Sequence, residues 1–264
     1  SVRERLPRPD HLRVTRLAGA IHCRFAYLLA DLLKIQPEVW SFTGDDVQSI
    51  GTALHSVLHD YYRIDPTERA DQLPDLVSAR MRAPRIRWGC ARLGWDARVE
   101  LWTDQVRRLA EALDKRFGQD AGELELEIDD ELFGVPVAGR VDRVLLDRAE
   151  GTFSVLDYKT GATPGKNDVL GDRSGAVDDV TDFQLPAYML LMNERLGMDP
   201  AGIYYASIKP GTITAIATTG SAEWDALDAL LPTFHDVLVD AWRRITDFDF
   251  RNEKGRDCAG CPQS

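Results

Sequence analysis

Two short apolar runs in the middle of the chain carry residues whose types and spacing suit catalysis. GRVDRV contributes Asp142, and VLDYKTG contributes Asp157 and Lys159. In a strand, residues two apart share a face, so Asp157 and Lys159 project to the same side. The runs are rich in valine and leucine and are separated by DRAEG, which makes them neighbouring strands of a hairpin that brings Asp142 alongside. Paired carboxylates hold a hard divalent cation that keeps several of its waters. An ammonium beside them can orient or deprotonate an attacking water, or stabilise charge on a pentacovalent phosphate. The tripeptide alone decides little, because Asp-x-Lys in a strand is commonly a surface pair.

Three further groups of residues bear on chemistry. His55 and His59 lie four apart in GTALHSVLHDYY, on one helical face, which is also the spacing of a zinc pair. A zinc hydrolase of the H-E-x-x-H kind needs a glutamate inside the motif, and the intervening residues are Ser56, Val57 and Leu58. Arg80, Arg82, Arg85, Arg87, Arg92 and Arg98 fall close together with Trp88 and Trp95 between them. Arginine interleaved with aromatics suits phosphate contact and base stacking, and a solvated basic surface is the equal alternative. Four cysteines, at 23, 90, 258 and 261, read as ligands or buried thiols more readily than as a disulfide framework.

The elements that must position these groups follow from periodicity. Leu17, Ile21, Phe25, Leu28, Leu29 and Leu32 predict a helix over residues 11–35. Ile50, Leu54, Val57, Leu58 and Tyr61 predict a second, which carries the histidines, and residues 96–117 a third. After Gly122 three strands are expected, then a mobile polar loop over 162–181, a helix from Asp182, two strands, and a long helix over 222–246. The order implies an α/β core framed by helices. At 264 residues and a net charge of −11, the chain can bury a substantial core and does not wrap nucleic acid by bulk charge. No apolar run is long enough to span a membrane and no leader opens the chain, so a cytoplasmic protein is expected.

The series GxxDR, DYKTG and QLPAY resembles the RecB-like branch of the PD-(D/E)xK nuclease superfamily. The resemblance implies a restriction-endonuclease-like α/β fold, a mixed central sheet flanked by helices. It assigns the metal and catalytic core to Asp142, Asp157 and Lys159, with Mg²⁺ or Mn²⁺ as the cation. The family's Q-x-x-x-Y motif matches Gln184 and Tyr188, which share a helical face and are implied to line the site near the DNA. Its G-x-x-x-H helix makes His55 a further metal ligand, and its additional acidic residue falls at Glu127, with Glu125 close behind. Arg85 and Arg87 are candidate DNA contacts within the arginine-rich stretch.

The opening AIHCRFAYLL is similar to the short cysteine helix of AddB-type nuclease domains. In those domains it implies a [4Fe–4S] cluster that joins the N- and C-terminal helical segments. Cys23, Cys258 and Cys261 match three of the four ligand positions; the fourth is missing, and Cys90 does not fall where the pattern needs it. One nuclease domain over 1–264 is expected: a mainly helical part to 120, an α/β catalytic core over 121–220, and a C-terminal helix with a cysteine tail. The implied activity is hydrolysis of single-stranded DNA ends in double-strand-break repair, beside a helicase subunit or domain. Two alternatives stand: a CRISPR-associated exonuclease that trims spacer DNA, and a non-catalytic DNA-binding or scaffolding module.

Overall fold

The computed structural model describes residues 8–35, 47–82, 94–120, 122–172 and 175–250. In place of one helix over 11–35, the chain forms a two-residue strand, β1 (Leu12–Arg13), a 3-10 turn, and then α1 (Leu17–His22). Strand pairing of Leu12 and Arg13 overrides the helical spacing there. Cys23 breaks the helix a second time. Its backbone leaves the helical region, and its Sγ accepts the N–H of Ala26 at 3.4 Å, capping α2 (Arg24–Tyr27), which widens into a π-helical turn over Leu28–Leu32. The histidine stripe forms α3 (Val47–Arg63) as expected. α4 (Arg69–Met81) was not announced by any long apolar stripe; Leu73, Val77 and Met81 bury it at four-residue spacing. Arg69 fastens the end of α3 by donating to the carbonyls of Tyr62, Ile64 and Gln119. α5 (Trp95–Phe117) completes this layer.

The strands β2 (Glu123–Leu132), β3 (Val135–Asp147) and β4 (Thr152–Lys159) pair antiparallel in sequence order. Phe133 and Gly134 join the first two with φ of 56° and 74°, the positive values of a two-residue hairpin turn. The chain crosses through α6 (Lys166–Leu170) and α7 (Gln184–Leu196) to β5 (Asp199–Ser207), parallel to β4. β6 (Thr212–Thr218) returns antiparallel, and α8 (Ala222–Thr246) follows. The result is one six-stranded mixed sheet, to which β1 belongs although it lies far upstream of the others.

β3 is the spine, and its two edges differ. One edge pairs with β2 from Val135 to Val144. The other is shared: β4 pairs with Arg143 to Asp147, and β1 pairs in parallel with Val137 and Ala138. Between them, residues 139–142 have no strand partner on that edge among the described residues, because β4 has peeled away. The pleat inverts at the same level. Leu124 and Leu126 are two apart yet enter opposite cores, and Glu125 between them has a φ of 48°. On β3 the inversion lies between Val141 and Val144, which enter the same core three residues apart. The register is the same on either side, so both strands reverse their pleat together, and the reversal re-aims the side chains around it.

Each face of the sheet carries its own core. Phe153 and Val155 of β4 pack toward α1, α7 and α8, whereas Leu156 and Tyr158 pack toward α3, α4 and α5. The stretch expected as a mobile loop over 162–181 is anchored instead. Val169, Leu170, Val177 and Val180 are buried, and the Asp168 carboxylate accepts the N–H of Gly165 at 2.6 Å. Among the described residues, no helix is long and apolar enough to cross a membrane. Phe234 of α8 stacks on Phe183 at 4.8 Å between ring centroids, immediately before Gln184. Phe234→Ala is therefore expected to cost about 3–5 kcal/mol, read as a lowered midpoint in urea unfolding.

Candidate active site

Asp142 and Asp157 meet where β3 and β4 part. The first ladder position past the fork is closed by a side chain: Asp142 Oδ2 accepts the backbone N–H of Tyr158 at 2.8 Å. Both carboxylates are buried, 7% and 3% exposed, so neither has water enough to spread its charge. Burial first, and the neighbouring Asp142 charge second, push the Asp157 pKa up to about 7, against the downward pull of Lys159. The open fork also admits the opposite layer. From α3, His55 Nδ1 donates to Asp142 Oδ1 at 3.3 Å. Burial disfavours the imidazolium, but the hydrogen bond and charge of Asp142 outweigh it and hold the His55 pKa above its ordinary value.

Lys159 follows Asp157 on the same face of β4, as strand spacing predicts. Its Nζ lies 2.8 Å from Asp157 Oδ2 and donates to Gln184 Oε1 at 2.9 Å. The Gln184 amide donates in turn to Asp157 Oδ1 at 2.5 Å, so one side chain fixes both members of the pair. Gln184 is itself held by Asp182, which accepts its N–H at 2.8 Å and the Tyr205 hydroxyl at 2.8 Å. The Tyr205 ring lies 5.1 Å from Lys159 Nζ. Tyr188, 1% exposed, directs its hydroxyl to the protein and accepts the N–H of Arg140 on β3 at 3.2 Å. Gly139 leaves room for it, since any Cβ there would come within 2.9 Å of that hydroxyl.

Arg143, next to Asp142 in sequence, turns to the same helix as Asp142, because the pleat reverses between Val141 and Val144. Its guanidinium is fully buried 3.8 Å over the ring of Tyr62, and it donates to the Asp120 carbonyl at 2.5 Å. That contact ties α3, and so His55, to the strand that carries Asp142. Gly51, one turn before His55, brings α3 close to the end of β4; a Cβ there would sit 2.9 Å from Thr160 Oγ1.

The remaining sequence candidates divide. Glu127 lines the same cavity as the acid pair, in register with Arg140, and makes no ion pair with the described residues. Glu125 sits where the pleat reverses and lies 3.7 Å from Arg140. His59 does not join His55: it bonds Asp60 at 3.1 Å and stays out of the cavity. Arg80, the first of the basic run, is ion-paired to Asp60. Arg85, Arg87, Cys90, Cys258 and Cys261 lie outside the described residues. Cys23 is partly buried with a free thiol, beside α8's exit: Arg24 Nε donates to the Asp249 carbonyl at 3.2 Å. His11, Arg13 and Arg140 line the cavity without having been singled out. Arg140 was within reach of sequence reasoning, two residues before Asp142 on one strand; Arg13 was not, because its strand is too short to show alternation.

The donor set suits a hard divalent cation. Asp157 Oδ2 is buried and meets the Lys159 ammonium at 2.8 Å, which offsets only part of the charge that two adjacent carboxylates carry in a dry site. Among the described residues, no three His, Cys, Asp or Glu side chains are gathered closely enough to hold a metal ion. Protein donors occupy the oxygens instead, so a cation must displace the Gln184 and Lys159 contacts to bind.

Comparison with known proteins agrees with this geometry. A crystal structure from Eubacterium rectale described as a "Putative exonuclease" is similar, with a TM-score of 0.50 and 15% identity over 95% of this chain and 87% of that one. At that identity the likeness concerns the fold alone. No curated protein sequence matches the chain significantly. The sequence does match the PD-(D/E)XK nuclease superfamily over residues 11–264, a span that holds every residue of the cluster around Asp142 and Asp157. With that match, and with the two acids and the lysine side by side on a mixed sheet, the chain belongs to the PD-(D/E)XK nuclease superfamily.

Proposed function

We propose that the protein is a divalent-cation-dependent nuclease that hydrolyses phosphodiesters of single-stranded DNA from its ends. The observation that carries this reading is the buried acid pair with Lys159 clasped beside it. Asp142, Asp157 and His55 would hold Mg²⁺ or Mn²⁺, the ions that nucleases of this superfamily generally use. Such an ion lowers the pKa of bound water and neutralises charge that develops on the phosphate. Lys159 supplies a fixed ammonium for the attacking water and the phosphate oxygens. Gln184 sets its direction, and Tyr188 keeps β3 at the right height. Water attacks phosphorus, the bond to the leaving sugar oxygen breaks, and a phosphate monoester and a hydroxyl end result. The resemblance to helicase–nuclease modules supports a setting in double-strand-break repair beside a helicase.

The same resemblance supports a [4Fe–4S] clasp formed by Cys23, Cys258 and Cys261 with a fourth ligand. The contact of Arg24 with Asp249 favours it, because the chain leads from there toward Cys258 and Cys261. Cys23 Sγ already accepts a backbone N–H, as cluster thiolates do. The clasp would contribute folding energy rather than catalysis.

Three outcomes are expected. Asp157→Ala or Lys159→Ala lowers Mg²⁺-dependent degradation of single-stranded DNA by a factor of at least about 100, with an unchanged circular dichroism spectrum; full activity in the double variant overturns the reading. The second concerns pH. Asp157 ionises at 3.8 ordinarily and near 7 when folded, so within that window the folded protein keeps a proton the unfolded chain has lost, and stability falls as pH rises. His55, raised above 6.5, acts in the same direction, since its gain is present below that value and lost above its folded pKa. In chelator, stability should drop by on the order of 2 kcal/mol between about pH 5 and about pH 8. Mn²⁺ should restore more of it at the higher pH, and Asp157→Asn should flatten the profile; a flat profile in the unaltered chain contradicts the buried-pair argument. Third, anaerobically purified protein should contain iron and sulfide, and Cys23→Ala should lose both.

A further inference from the structure

The cavity has a wall that the acid pair does not use. With a volume of about 880 Å³, it reaches past Asp142 and the unpaired edge of β3 to β1 and the turn after it, where His11, Arg13 and Thr15 line it. Arg13 sits in register with Ala138, and Arg140 follows two residues later on β3. From Asp142 to Ala138 is four residues of strand, roughly 13 Å. A group held at Arg13 is therefore a neighbour of the reacting phosphate and not the reacting phosphate itself.

The charges on this wall are poorly spent within the protein. The Arg13 side chain makes no hydrogen bond or ion pair with another described residue, and the Arg140 guanidinium meets Glu125 at 3.7 Å. Ala138 between them offers a low floor. Two guanidiniums, an imidazole and a hydroxyl gather at this end of a hollow whose other end holds Asp142 and Asp157, in a chain that carries −11 in total. Guanidinium matches phosphate oxygens in a two-pronged contact that ammonium cannot make. Glu127, in register with Arg140, faces the same hollow and marks its limit, since an anion is repelled there.

The geometry points to a phosphate subsite in which Arg13 and Arg140, assisted by His11, hold a backbone phosphate adjoining the one at the acid pair. The subsite rests on the nuclease reading above and deepens it: β1 reads the strand's backbone and thereby sets which phosphodiester reaches Asp142 and Asp157. Because the contact is to phosphate, it is indifferent to base sequence.

Binding of a labelled single-stranded oligonucleotide, followed by anisotropy in chelator across a salt series, tests this directly. Each phosphate contact on a single strand contributes about 0.7 to the slope of log K against log salt. Arg13→Gln and Arg140→Gln should each lessen the slope by about 0.7, and the double variant by about twice that. In the presence of divalent cation, both should raise KM more than they lower kcat. Arg13→Lys should keep the slope, and so should Arg148→Gln, which alters an arginine 77% exposed at the β3–β4 turn. Arg13 is exposed, so its replacement leaves the core untouched. Unchanged slopes in folded Arg13→Gln and Arg140→Gln overturn the subsite. If the slopes fall as expected but the unaltered chain hydrolyses no DNA with any divalent cation, the subsite stands and the nuclease reading fails.

Discussion

Two carboxylates held side by side away from water define what the rest of this fold has to do. Asp142 and Asp157 repel each other, and their surroundings offer little solvent to soften that repulsion. The pair persists because separate parts of the chain each neutralise one oxygen: the Tyr158 N–H and His55 for Asp142, Gln184 and Lys159 for Asp157. Every one of these donors is itself fixed from behind. Arg143 and Tyr62 tie down the helix of His55, Asp182 and Tyr205 hold Gln184, and Phe183 stacks on Phe234 just ahead of it. A site under electrostatic tension needs that depth of support, since a loose donor would swing out to water and leave a charge unmatched.

The fork in the sheet makes the arrangement possible. Where two strands run fully paired, the backbone is shut and one layer of helices cannot touch the other. β4 leaves β3 beyond Arg143, and β1 rejoins the same edge only at Ala138. The interval is a window through the sheet. There α3 on one face reaches Asp142 while α7 on the other reaches Asp157, so the two layers meet at adjoining carboxylates.

Much of this was legible in the sequence because it rests on local pattern. The alternation that made β3 and β4 strands also put Asp157 and Lys159 on one face, and the resemblance of GTALHSVLHDYY and QLPAY to family motifs singled out His55, Gln184 and Tyr188. What escaped notice depends on contacts between distant segments. Leu12 and Arg13 are strand only because β3 offers an edge, and a two-residue strand has no period to detect. The break at Cys23 comes from a thiol cap that leaves the apolar spacing of the surrounding residues intact. Tyr188 could be placed beside the site but not aimed: its hydroxyl turns to a backbone N–H, a choice fixed by the missing side chain at Gly139. The polar stretch before Asp182 reads as a loop by composition, yet three valines and one leucine scattered through it are buried.

The pleat reversal shared by β2 and β3 has a consequence for how the site tolerates change. With Glu125 at positive φ and the pleat of β3 reversing after Val141, the side chains on either side of Asp142 exchange faces. A one-residue shift along a strand turns every following side chain to the other side. The aim of Asp142 is thus stored in a count of residues rather than in their identities. Substitutions around it leave the count intact, whereas loss or gain of a single residue would preserve the composition of the motif and point it into the wrong layer.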